Sequence, residues 1–197
     1  MVKVNRKEAE PMKEGYVDNR SASLYYKEMG QGMPLIMLHG NGESHEIFAR
    51  LSELMSRYYR VILMDSRGHG SSLMKEEAAG GDLTIPDMAA DVVQVMEFLH
   101  VPRAVILGFS DGANVALETA SCYPGRVSAV VAVSGNALPR GMSAASLMEV
   151  KIKYALWRGL EKVPLPPGVR ERAVKSRQLL GLWPDGPGWT RISCPVS

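Results

Sequence analysis

The chain has 197 residues, enough for one domain that buries roughly 70% of its unfolded surface. Hydrophobic residues make up 46% and charged residues 22%, with 23 basic against 21 acidic side chains and a net charge of +2, a balance that gives no electrostatic basis for nucleic-acid or anionic-membrane binding. Two cysteines, Cys122 and Cys194, form neither a disulfide framework nor a metal spacing, the polar first twenty residues lack a signal segment, and no apolar run approaches the roughly 18 residues that span a bilayer, so a cytoplasmic location is expected.

Along the chain, SASLYYKEMGQG reads as a short strand ending at Gly30 and Gly32. PLIMLHG (34–40) is a continuous apolar run of strand length, as expected for a strand buried on both faces. Between Glu46 and Tyr58, Ile47, Leu51, Leu54, Met55 and Tyr58 recur at helical spacing. A second strand, RVILMD (60–65), follows. Thr84 is placed to cap a helix whose stripe is Met88, Val92, Val95, Met96 and Leu99, with Asp87 and Asp91 early in it, where the dipole favours acids. RAVILG (103–108) is a third buried strand. After it, Ala113, Ala116, Leu117 and Ala120 repeat at helical spacing, and VSAVVAVSG (127–135) is a fourth strand. Strand and helix alternate with short crossovers, which predicts an α/β fold: a mostly parallel open sheet with helices on both faces. Residues 143–161 and 169–181 read as two further helices, suited to a short lid or to packing on the sheet edge.

Three segments carry candidate chemistry. Gly108-Phe109-Ser110-Asp111-Gly112 is a G-x-S-x-G pattern between a buried strand and a helix. A serine hydroxyl is a weak nucleophile that must be raised on a sharp turn, where the crowded backbone demands small neighbours. His39-Gly40-Asn41-Gly42 follows the strand PLIML. Acyl transfer needs two N–H donors for the oxyanion, and the backbones of Asn41 and Asp111 are the candidates, with Gly40 and Gly42 allowing close approach. His39 is expected to fix that loop rather than act as a base. Asp65-Ser66-Arg67-Gly68-His69-Gly70-Ser71-Ser72 offers Asp, His and Ser within eight residues. So close a spacing suits a tight turn held by Asp65 and Arg67, not a relay. His45 shows no partner signal, and His100, at a helix end, reads as structural.

HGNG, DSRGHGSS, the helix from Thr84, GFSDG and the strand ending VSGN, in that order, resemble the α/β-hydrolase superfamily, in its serine-esterase-like branch, over residues 16–197. The resemblance implies that Ser110 is the nucleophile, that the Asn41 and Asp111 amides form the oxyanion hole, that Gly40, Gly42, Gly108 and Gly112 shape the loop and the elbow, and that the substrate is a small ester, thioester or amide. A serine at position 110 argues against the dehalogenase and epoxide-hydrolase chemistries of relatives with aspartate there. No metal or organic cofactor is implied.

In that family the acid and then the histidine follow the nucleophile. No residue after Ser110 is histidine; the last is His100. The expectation is a chain cut short before its catalytic acid and base, with RISCPVS as the start of the strand leading to the acid. The predicted layout is a flexible N-terminus over 1–15, a hydrolase core over 16–141, a helical lid over 142–182 and an incomplete further strand over 183–197. Such a chain is expected to be a poor catalyst, to behave as a dead hydrolase-fold protein or ligand-binding module, and to dimerise or aggregate through an uncovered sheet edge.

Overall fold

The computed structural model describes residues 12–75, 83–135 and 144–160, together with the single residues 174, 176 and 178. Its strands are β1 (Lys13–Asp18), β2 (Ala22–Met29), β3 (Met33–Leu38), β4 (Tyr59–Met64), β5 (Leu73–Met74), β6 (Ala104–Phe109) and β7 (Val127–Val133). They form one sheet in the order β1-β2-β4-β3-β6-β7, with β5 also on β2. The four apolar runs read as strands are the parallel ones, β4-β3-β6-β7. β1, β2 and β5 pair antiparallel at one end. β1 has no counterpart among the strands predicted from sequence. In KEGYVD only Val17 is buried, so this edge strand lacks the apolar pattern that marks the others.

The period-two alternation of strand side chains divides the core in two. Ile36, Leu38, Ile62, Met64 and Ile106 face one side, where they join Met88, Val92, Val95, Met96, Val115 and Ala116. Leu35, Met37, Val61 and Leu63 face the other and pack with Phe48. The first side is covered by α2 (Ile85–Phe98) and α3 (Asp111–Cys122). Thr84 caps α2 as predicted: its hydroxyl accepts from the Asp87 amide at 3.2 Å and bonds to the Asp87 carboxylate, and Pro86 sits in the first turn, where its missing N–H costs nothing. A further helix, α4, spans Ala144–Leu160. Tyr154 is buried on it, while Met148 and Leu156 are exposed. Of the helix predicted over 169–181, residues 174, 176 and 178 are helical; the remainder lies outside the described residues, as does the incomplete strand expected within 183–197.

The segment after β3 is a 3₁₀ turn (His45–Phe48) leading into α1 (Ala49–Met55). Of the apolar residues at helical spacing here, four are exposed: Ile47 is 43% exposed, Leu51 37%, Leu54 55% and Tyr58 70%. The helix instead turns Phe48, Ser52 and Met55 toward the sheet. The register places Ala129, Val131 and Val133 beside Val105, Leu107 and Phe109, on the same face as α1. Val131 and Val133 are 45% and 43% exposed, and among the described strands β7 has one neighbour, β6. Among the described residues, the second face of the sheet is thus covered at β3 and β4, partly buried at β6 and exposed at β7.

Candidate active site

β6 runs into α3 through one residue. Ser110 is the N-cap of α3, with φ 52° and ψ −120°, a conformation that glycine tolerates and a side chain does not. Neighbouring backbone holds it there. The Ser110 amide donates to Val133 O at 2.8 Å, and its carbonyl accepts from the Ala113 and Asn114 amides at 2.9 and 3.3 Å. The flanking glycines are a packing requirement. A Cβ on Gly108 would lie 2.2 Å from Gly112 O, and one on Gly112 would lie 2.2 Å from Leu38 O. Only glycine lets the head of α3 seat against the end of β3. Ser110 is partly exposed, and among the described residues none hydrogen-bonds its hydroxyl.

The loop after β3 reaches the same point. A Cβ on Gly40 would be 3.0 Å from Ser110 Cβ and 2.7 Å from Glu43 Oε2, so Gly40 serves close approach. Gly42 differs: nothing lies within 4 Å of its Cβ position, and its φ of +75° is what glycine supplies. The Gly40 amide donates to Glu43 Oε2 at 2.9 Å. The Ser66 amide donates to His39 Nε2 at 3.1 Å, so Nε2 offers its lone pair and Nδ1 carries the proton given to Gly40 O at 2.7 Å. Burial lowers the pKa of His39, outweighing its hydrogen bond to Gly40 and the nearby Asp65 carboxylate. His39 is therefore a neutral clamp between the loop and the turn after β4.

That turn is built as predicted, around Asp65 and Arg67. Asp65 is fully buried. It accepts from the amides of His45 and Ser71 at 2.6 and 2.8 Å, and Gly70 leaves no room for a Cβ beside it. His45, which carries no partner signal in the sequence, places Nδ1 3.0 Å from Asp65 Oδ1. Arg67 grips Asp91 of α2 in a bidentate pair at 2.6 and 2.7 Å, and Asn19 adds a third donor at 2.8 Å. His69 Nδ1 bonds to Arg67 O at 3.0 Å. His100 ends α2 at a φ of 53° and is exposed.

Asp111 opens α3. Its carboxyl accepts from Asn114 Nδ2 at 3.2 Å and from the Asn41 side chain, and burial outweighs both bonds and raises its pKa to about 6. A small cavity beside it is lined by His39, Asn41, Ser66, His69 and Val115. Glu43, Asn114 and the Asn41 side chain thus join the residues singled out from sequence. No motif announces them, because their roles come from contacts across the fold.

A strained serine between a parallel strand and a helix, with a glycine loop against it, is the architecture of a known class. The chain belongs to the family described as the alpha/beta hydrolase fold, whose profile matches residues 33–161. Among curated proteins it is 31% identical over 178 residues to a non-heme chloroperoxidase of Streptomyces lividans, covering 82% of this chain and 63% of that one. It is 31% identical over 113 residues to a pimeloyl-[acyl-carrier protein] methyl ester esterase of Chromobacterium violaceum, covering 57% of this chain and 41% of that one. A solved hydrolase from Pseudomonas aeruginosa shares the fold with a TM-score of 0.63 at 21% identity, covering 85% of this chain and 71% of that one. The chain spans 37 to 63% of the length of the first curated relatives it matches.

Proposed function

We propose that the chain carries the nucleophile and oxyanion half of a serine acyl-hydrolase site. The Ser110 oxygen forms a bond to the acyl carbon of a small ester, thioester or amide, and the hydroxyl proton leaves with the alcohol, thiol or amine. Water then releases the acid and restores the hydroxyl. The backbone amides of Asn41 and Asp111 hold the oxyanion. The observation that carries this reading is the backbone of Ser110: a non-glycine residue held at φ 52° at the head of a helix costs on the order of 1–3 kcal/mol, and such strain clusters at reactive sites. The ester chemistry is supported by the methyl ester esterase among the relatives.

The hydrolytic rate of these residues is expected to be low. His39 and His45 are engaged by Gly40, Ser66 and Asp65, and no described residue bonds the Ser110 hydroxyl. Among the described residues no base reaches the serine, and a serine site in that state retains about 10³–10⁴-fold catalysis over water from donors and binding alone. The same occupancy of the histidines supports a second reading, a ligand-binding module that has lost turnover. A fluorophosphonate probe tests the first: the serine oxygen bonds to phosphorus, fluoride departs and the proton passes to solvent. Slow labelling read by intact mass, abolished in Ser110→Ala, is the expected result. A folded protein that never labels would refute the nucleophile assignment.

A further inference from the structure

The side chain of Asp111 has work distinct from its backbone. Its carboxyl accepts from Asn114 Nδ2 at 3.2 Å and from the Asn41 side chain. Asn114 is buried and its amide bonds to the Ser110 carbonyl. One carboxyl therefore joins the loop after β3 to the first turns of α3. The other anchors described for that loop lead to Glu43 and to Ser66, not to the helix that carries Ser110.

We propose that the Asp111 carboxylate is a positioning group: through the Asn41 side chain it holds the 39–42 loop at the head of α3, so that the amides of residues 41 and 111 face one point above Ser110. This rests on the acyl-hydrolase reading. An ionised carboxylate accepts from both amide groups, whereas the neutral acid turns one oxygen into a donor facing an NH₂ group that also donates. Protonation therefore weakens the tether. Burial raises this carboxyl to about 6, so the change falls in a mild range. The titratable groups that share its cavity are His39 from the end of β3 and His69 from the turn after β4, while Glu43 of the loop is held on the Gly40 amide; His39 stays neutral by its two bonds.

The test compares phosphonylation rates of the wild type, Asp111→Ala and Asp111→Asn from about pH 5 to 8, a range that spans the shifted titration. Asp111→Ala is expected to label about tenfold more slowly, less than the 10²–10³ lost when an oxyanion donor is removed outright. Asp111→Asn keeps one acceptor but turns a donor NH₂ toward the partner amides, as the neutral acid turns its O–H, and is expected to label at the slower, pH-independent rate that the wild type shows below about pH 6. It should also lack the rate step near pH 6 that the wild type shows. Equal rates in Asp111→Ala and wild type, or identical profiles in wild type and Asp111→Asn, would overturn the proposal while leaving the nucleophile reading intact. Labelling that survives Ser110→Ala would instead overturn the reading, and the proposal with it. Should Asp111→Ala not fold, the Asn41 side-chain NH₂ resonances of the wild type decide: an inflection near pH 6 that Asp111→Asn abolishes supports the tether, and a flat titration overturns it.

Discussion

Ser110 sits where glycine would be more comfortable, and this sets function against stability at a single position. Ser110→Gly removes the strain of φ 52° and loses part of that gain to unfolded-chain entropy. We expect a net stabilisation of about 1 kcal/mol in urea denaturation, together with complete loss of labelling; a destabilised variant would show that the serine is not strained. Gly112→Ala should behave oppositely. Its Cβ would enter the Leu38 carbonyl at 2.2 Å, and a forced backbone shift in a packed interior costs about 1–3 kcal/mol or more. Native stability in that variant would contradict the close seating of α3 on β3. Asp111 adds a pH dependence with a definite sign. Its folded pKa of about 6 lies above the ordinary 3.8, so the folded state binds the proton more tightly. The stability it contributes is present below about pH 4 and is lost as pH rises through 6, up to about 3 kcal/mol at 1.4 kcal/mol per unit. Subtracting the denaturation curve of Asp111→Asn isolates this slope from that of His39, whose lowered pKa runs the other way. An unchanged slope would mean the carboxyl is solvated.

Among the elements, the pair between the turn after β4 and α2 matters most for holding the site's floor. Arg67 and Asp91 are joined by two charged hydrogen bonds in a largely buried setting. Removing one partner of such a pair strands a charge, at about 3–5 kcal/mol, whereas replacing both with apolar residues costs much less. We therefore expect Asp91→Leu to lower the denaturation midpoint far more than Arg67→Met/Asp91→Leu. Equal losses would show that the charges contribute nothing beyond packing. The elements were largely legible in the sequence, for a physical reason. Strands buried on both faces must be largely apolar, as β3, β4 and β6 are, and β7 carries the same apolar composition although the described residues leave much of it exposed. Thr84 and the stripe of α2 announce a cap and a buried face. The turn at Asp65 is legible because its glycines adopt positive φ at 68 and 70. What failed is equally instructive. The apolar residues read at helical spacing around α1 do form a helix, yet only Met55 of them packs on the sheet, because spacing identifies an apolar set without saying what it packs on. His45 could not be paired with Asp65, twenty residues away, from sequence alone. The elbow was visible because its chemistry needs glycine at fixed local positions; the Asn41–Asp111–Asn114 links join separate elements and leave no local signature.

At the scale of the molecule, the face of β7 left exposed by the described residues and the outward apolar side chains around α1 dominate the expected solution behaviour. A parallel sheet is normally covered on both faces, and an apolar edge strand without charge or proline is a template for association. β7, with the sequence VSAVVAV, is such a strand among the described residues. Sedimentation velocity is expected to show concentration-dependent self-association of the chain, reduced in Val131→Glu; a strict monomer at all concentrations would show that this face is covered. No helix among the described residues is long and apolar enough to cross a membrane. The proposed function depends on a strained serine and on two amides, of residues 41 and 111, proposed to face one point above it. Its most direct test is a crystal structure of the chain after fluorophosphonate treatment. The account predicts phosphorus bonded to Ser110 Oγ, with one phosphonyl oxygen about 2.7–3.1 Å from the amides of residues 41 and 111. Phosphorus on another residue, or an oxygen turned away from both amides, would contradict it.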